Sequence, residues 1–449
     1  VLPPGPGTPL VTTLRYLRDP IGVLRRCRAR HGPMFTMRFT AARPLVLLSS
    51  PALLRELFSG PPEVLLAGVA NRSVFGTVTG PRSVMVYDGE AHRHRRRLLQ
   101  PPLRGERMHE YTESIRQLTE AEIATWRPGA LFALHPALQR ITLATILRTV
   151  FGLDEAHADE RLESLLRRMA NEVVGSRLLL MPLLQRDLGP WSPWGKIVRL
   201  VRATDEVLVE ALHRRRAAPD AHDRNDLLDL LLDAVDDEGH RLSDEELCDE
   251  LVTMLMAGHE TTGTSLAWIV ERVLTHPPVE QRLRDELARV TGGAPVEREH
   301  LGELEYLDAV IKEGLRARPI TAFGASRRLA APFTLGGYEL PAGINVACCM
   351  ATLHAEPEVY PEPEAFRPER FLDKRLDQYE WTPFGGGVRR CVGQGFALHE
   401  MKIVLATLFQ RVRLERRAPA RAVVRGFFIA PEGGLVVRMT DAAPRQLRA

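Results

Sequence analysis

The sequence predicts a mainly α-helical chain with small β-sheets, folded as one large domain over residues 1–449, and three observations carry that prediction. Helical periodicity dominates from about Asp88 to Arg318. Short strand-like runs occur near Met34 to Leu48, Phe333 to Val346 and Val423 to Val437. No internal repeat, low-complexity block or Gly/Ser linker divides the chain.

Composition narrows the function classes. A hydrophobic content of 45%, a charged content of 26% and a net charge of +3 describe a globular protein with neither a disordered tail nor a nucleic-acid footprint. The five cysteines, Cys27, Cys248, Cys348, Cys349 and Cys391, are odd in number and never in CxxC spacing, which argues against a disulfide framework or a zinc site. No stretch reaches the roughly 18 apolar, uncharged residues of a membrane-spanning helix, and the N-terminus lacks a signal pattern. The expectation is a cytoplasmic monomer without an integral membrane segment or nucleic-acid partner.

Taken in chain order, the first informative element is the run Asp88 to Arg97. His92 and Arg96, at i and i+4, present two donors on one helix face, whereas Arg93, Arg95 and Arg97 read as a solvated basic surface. The most legible helix follows. Ser243 and Glu246 make a capping box, and His276-Pro277-Pro278 ends the pattern roughly 32 residues later, a span of about 48 Å that must cross the whole domain. Its middle, Ala257-Gly258-His259-Glu260-Thr261-Thr262-Gly263-Thr264, places glycines and threonines where good helix formers belong. Two readings stay open there: a loosened hydrogen-bond ladder at a functional site, or close helix packing at small residues. His259-Glu260 does not open an HExxH zinc motif, because position 263 is Gly.

Glu313 and Arg316, at i and i+3, can pair on one helix face. The strongest signal is Pro383-Phe384-Gly385-Gly386-Gly387-Val388-Arg389-Arg390-Cys391-Val392-Gly393, followed by a helical pattern from Phe396 to Arg411. A glycine-rich loop delivers a cysteine to a helix start, where the dipole, Arg389 and Arg390 favour the thiolate that binds metal. No GxxxxGK[ST] phosphate loop is present, and Gly393-Gln394-Gly395-Phe396-Ala397-Leu398 is an incomplete dinucleotide pattern.

These residues closely resemble the cytochromes P450. The family's haem loop, Phe-Gly-Gly-x-x-Arg-x-Cys-x-Gly, is matched completely, and Ala257 to Thr262 resembles its central-helix segment. Glu313 to Arg316 matches its ExxR, and Phe366-Arg367-Pro368-Glu369-Arg370-Phe371 its PERF segment. The four motifs stand in the family's order and the resemblance covers nearly the whole chain.

The resemblance implies haem b as cofactor, with an axial thiolate from Cys391 and with Phe384 and Gly393 shaping the loop beneath it. It implies that His92, Arg96, Arg389 and Arg327, with Arg328 as the alternative, reach the haem propionates. Arginine suits carboxylates because its planar fork donates two parallel hydrogen bonds. Glu313, Arg316 and Arg370 form a buried structural network by the same resemblance. Thr261 positions a water near dioxygen and Glu260 relays protons, so that one oxygen atom enters a C–H or C=C bond and the other leaves as water. A hydrophobic substrate, such as a terpenoid, fatty acid or macrolide-like polyketide, is expected against Phe75, Val84, Val86, Leu255, Met256, Ala257, Ile320, Phe323, Phe427 and Phe428. For each of these, core packing is an equally good reading. Electrons are expected from separate proteins, a ferredoxin or flavodoxin-type donor with its reductase, docking at a basic face on the thiolate side. A peroxide-using or rearranging haem-thiolate enzyme ranks second, because Glu260-Thr261 is retained, and a non-catalytic haem sensor third.

Overall fold

In a computed structural model of the chain, the residues described are 1–442 except 41, 104–105, 154–158, 174–175, 181–183, 190, 218–225, 236–238, 240 and 374–376. Residues 443–449 of the expected domain therefore lie outside the described residues. The fold is mostly helical with small sheets.

The central helix, Asp244–Leu274, starts where the capping box places it. Ser243 Oγ accepts from the Glu246 N–H at 3.2 Å, and Glu246 Oε2 accepts from the Ser243 N–H at 2.9 Å. Asp244, Glu245 and Glu246 fill the first turn, where the helix dipole favours negative charge. The proline pair that ends it opens the next helix, Pro277–Thr291, since proline is tolerated in a first turn and nowhere deeper.

Of the two readings of residues 257–264, packing is what the structure shows, because the helix continues through them without a break. A Cβ on Gly258 would lie 2.6 Å from Ile146 Cδ1, and one on Gly263 would lie 3.0 Å from Gln139 Cγ and 3.3 Å from Gln139 Cα. Both neighbours belong to the helix Leu134–Thr149. The glycines let the two helices approach at interior packing density, and the Thr142 hydroxyl donates across the seam to the His259 carbonyl at 3.0 Å.

The largest sheet runs in the order Met34–Met37, Leu45–Leu48, Asn345–Cys348, Gly324–Leu329, Leu65–Leu66. A three-stranded sheet orders Leu131–Ala133, Val436–Ala442 and Val412–Arg416, and the hairpin Ala422–Arg425 with Phe428–Pro431 stands apart. That hairpin is tied to the central helix by Trp268 Nε1, which donates to the Ile429 carbonyl at 2.8 Å. All three predicted strand regions contain strands. Among the described residues four further strands, at 65–66, 131–133, 324–329 and 412–416, lie outside them.

Candidate active site

The cysteine loop is shaped by its glycines. Gly385 (φ +68°) and Gly387 (φ +64°) occupy the left-handed region, and a Cβ on Gly386 would stand 2.3 Å from Phe58 Cδ2. The Cys391 N–H donates to the Phe384 carbonyl at 2.9 Å, closing the loop, and Gly393 caps the helix Gln394–Arg411. Phe384 itself packs edge-on against Trp381, ring centres 6.0 Å apart. Among the five free cysteines only Cys391 is exposed, and a Cβ on Gly393 would meet nothing within 4 Å. The loop therefore presents an open face beside the thiol.

Protein packed round the other sides of Cys391 pushes its thiol up, while the Gly393 N–H, Arg96 and Arg390 pull it back. Arg389, expected to favour the thiolate, is turned elsewhere. Its guanidinium donates to the carbonyls of Tyr87 at 2.7 Å and Met85 at 3.0 Å. Arg96 takes that part from a distant helix, donating to the Arg390 carbonyl at 2.5 Å.

Three arginines converge on one histidine. His92, on the helix Gly89–Leu99, is buried, and its pKa is pushed down to about 3 by burial and then by Arg389, Arg96 and Arg327. Burial pushes Arg327 and Arg389 down to about 10, helped by Arg389 at the first and by Arg96 at the second. Asp88, the anion that opposes this at both arginines, has its oxygens engaged by the N–H groups of Gly68 at 2.7 Å and Val69 at 2.9 Å. Arg327 reaches this cluster because its strand breaks register against Asn345–Cys348 between Gly324 and Arg327, with Ala325 at φ +52°. Such irregularities re-aim a side chain. Arg328 instead donates to Asn345 Oδ1 at 2.6 Å.

On the central helix the acid and the alcohol part ways. Glu260 is 1% exposed, accepts from Gln139 Nε2 and, at 3.4 Å, from the Thr264 hydroxyl, and its carboxyl is pushed up by burial. Thr261 is more open, and its hydroxyl donates one turn back to the Ala257 carbonyl at 2.5 Å.

Glu313 and Arg316 meet in a two-pronged ion pair at 2.6 and 2.7 Å, both buried. Arg370 Nε stands 3.5 Å from Glu313 Oε1, and the Arg367 N–H donates to the same oxygen at 2.9 Å. Arg316 also donates to the carbonyls of His354 and Pro363.

The apolar candidates divide. Phe75 and Phe427 meet at a tilt with ring centres 5.0 Å apart, Ala257 is exposed, Ile320 and Phe428 are partly buried, and Val84 and Met256 keep a sliver of surface. Leu255 and Val86 have no exposed surface and pack as core. Phe323 stacks on Phe39 at 6.2 Å and meets Tyr16 at a tilt at 5.8 Å, in a separate apolar cluster. For these three the structure shows core packing.

Arg95 corrects the solvated-surface reading. It is buried against Glu246 and, at 3.6 Å, Glu250, because three residues after His92 it shares the inward face of its helix. Arg93 and Arg97 are exposed but both lean on Glu90. The basic face therefore carries less net charge than the sequence suggests.

Two residues around Glu260 were missed in the sequence, Gln139 and Arg425, whose Nε stands 3.9 Å from Glu260 Oε1. Neither belongs to a motif, and each lies more than a hundred residues from its partner.

The family profile described as Cytochrome P450 matches residues 3–431. Cytochrome P450 138 of Mycobacterium tuberculosis is 37% identical over 97% of this chain and 96% of its own length. Cytochrome P450 135B1 of the same organism is 35% identical over 98% and 91%. Both names give a family and no substrate. Among solved structures, retinoic acid-bound cyanobacterial CYP120A1 superposes with a TM-score of 0.86 at 26% identity, covering 98% of this chain and 99% of that one. The haem domain of cytochrome P450DA shares the fold, with a TM-score of 0.83. The chain belongs to the cytochrome P450 family, the haem-thiolate monooxygenases.

Proposed function

We propose that Cys391 ligates the haem iron and that the chain inserts one oxygen atom from O2 into a hydrophobic small molecule, by hydroxylation or epoxidation. The observation that carries this reading is the set of groups beside the exposed thiol. Arg327, Arg389, Arg96 and His92 gather with more positive charge than Asp88 balances, and haem b brings two carboxylates. The residues fit the group: three guanidiniums and an imidazole are suited to those carboxylates, and the glycine loop leaves a flat cofactor room.

Bound haem supplies the oxygen activation, and thiolate ligation favours O–O cleavage. The protein's own share is orientation and protons. Thr261, on the open side of the central helix, holds a proton and a water at the pocket, and Glu260 behind it supplies the next proton. Glu313, Arg316 and Arg370 brace the loop from behind. Ala257, Phe75 and Phe427, with Phe428 and Ile320 beside them, offer apolar surface that excludes water and suits a hydrophobic substrate. The structural relative that holds retinoic acid supports the same class. Electrons come from a separate ferredoxin or flavodoxin-type donor and its reductase, docking near Arg93, Arg97 and Arg390.

The test is the absorption spectrum of the dithionite-reduced protein under carbon monoxide. A strongly red-shifted Soret band that Cys391→Ser abolishes is expected. A histidine-type spectrum that Cys391→Ser leaves unchanged removes the assignment. Thr261→Ala should raise peroxide release per NADPH oxidised, and unchanged coupling would exclude this proton route.

A further inference from the structure

Glu260 lies in a buried polar cluster between the central helix, the helix Leu134–Thr149 and the strand Ala422–Arg425. Each neighbour contributes groups of known charge. The helix offers the Gln139 amide to the carboxyl, and His135, whose Nε2 stands 3.0 Å from the same Thr264 hydroxyl that donates to Glu260. The central helix adds His259, whose Nδ1 is 3.2 Å from Thr142 Oγ1. Burial and the nearby Arg425 push these histidines down, to about 3 for His135 and about 4 for His259, so both are neutral near pH 7. The strand contributes Arg425. Among the described residues its guanidinium is the cation within ion-pair distance of Glu260, at 3.9 Å, and its side chain is 40% exposed while Glu260 is closed to water.

We propose that Arg425 is a positioning residue for Glu260: its guanidinium, partly in water, keeps the buried carboxyl ionisable and joins it to solvent. The inference rests on the proton role proposed above for Glu260. Burial alone would hold the carboxyl neutral, and Arg425 is the largest influence opposing burial. An opposite charge at this range lowers a carboxyl pKa by about 1 to 3 units, and partial exposure places Arg425 at the low end.

The measurement is the infrared C=O stretch of the protonated carboxyl in the haem-loaded, substrate-free protein, followed against pH, with the Glu260 band identified by its loss in Glu260→Gln. In Arg425→Gln the pH midpoint should rise by about 1 unit, and Arg425→Lys should bring it back toward the wild type. Arg425→Met, which keeps an apolar stem, repeats the test if the Gln variant loses its folded spectrum. A midpoint unmoved in folded protein overturns the proposal. In turnover, the pH dependence of peroxide release should move in the same direction as the band. If the band moves while Glu260→Gln leaves coupling untouched, Arg425 still governs the carboxyl and the proton role of Glu260 is what fails.

Discussion

Glu313 and Glu260 are both glutamates closed to solvent, both on helices and both near an arginine, yet their surroundings differ in completeness. Glu313 meets Arg316 through two hydrogen bonds, a backbone N–H and a second arginine. Glu260 has an amide, one long hydroxyl contact and an arginine that does not reach hydrogen-bonding distance. Burial is the same for both. What differs is whether the charged form is fully held, and on that difference rest the roles proposed for them, Glu313 fixing the fold and Glu260 exchanging a proton.

The comparison is broken most severely at Glu313. Glu313→Ala leaves Arg316 charged and buried, at a cost of about 3 to 5 kcal/mol, and should yield little folded, haem-loaded protein. Normal haem content and melting temperature would show the pair to be dispensable.

Glu400 offers a third case. It is buried on the helix that follows Cys391, with the Thr145 hydroxyl as its one polar influence, and burial outweighs that hydroxyl and pushes the carboxyl up to about 8. Because the folded state keeps the proton that the unfolded state releases, stability falls as pH rises from about 4.5 to about 8. Glu400→Gln should remove that loss, a gain on the order of a few kcal/mol at the alkaline end. Denaturation curves at pH 5 and pH 8.5 that differ equally in both proteins would exclude it.

Glu260→Gln should behave as a milder version. Its carboxyl is also pushed up, so the variant gains relative stability as pH rises, while coupling of NADPH use to product falls. Loss of folded protein would place Glu260 with Glu313. The smallest effect is expected at Gly258→Ala. The helix gains about 1 kcal/mol against a clash with the end of Ile146, and the net change in melting temperature should be near zero. Adding Ile146→Val removes the clashing methyl and should turn the change positive.

Local chemistry made much of this legible in sequence. The capping box set the start of the central helix to the residue, the proline pair set its end, and a cysteine behind three glycines marked the loop. What escaped depends on contacts distant in sequence. The strand Gly324–Leu329 carries two consecutive arginines and no alternation of apolar residues, so nothing in its pattern separates Arg327, turned inward by a register break, from Arg328. Arg95 looked like part of a basic surface because the acids that bury it, Glu246 and Glu250, lie some 150 residues away. Gln139 and Arg425 escaped for the same reason. The mid-helix glycines were ambiguous because a loosened ladder and a tight seam leave the same residues, and only the partner helix distinguishes them.

The hairpin around residues 422–431 carries Arg425 beside Glu260 and Phe427 beside Phe75, and Trp268 pins it to the central helix. On the roles proposed above, reshaping Phe427 or Phe428 to admit a new compound also disturbs the strand that sets Arg425 against Glu260. Libraries built on this hairpin should be ranked by product formed per NADPH consumed, since a variant chosen on product alone can turn over faster while releasing most of its electrons as peroxide.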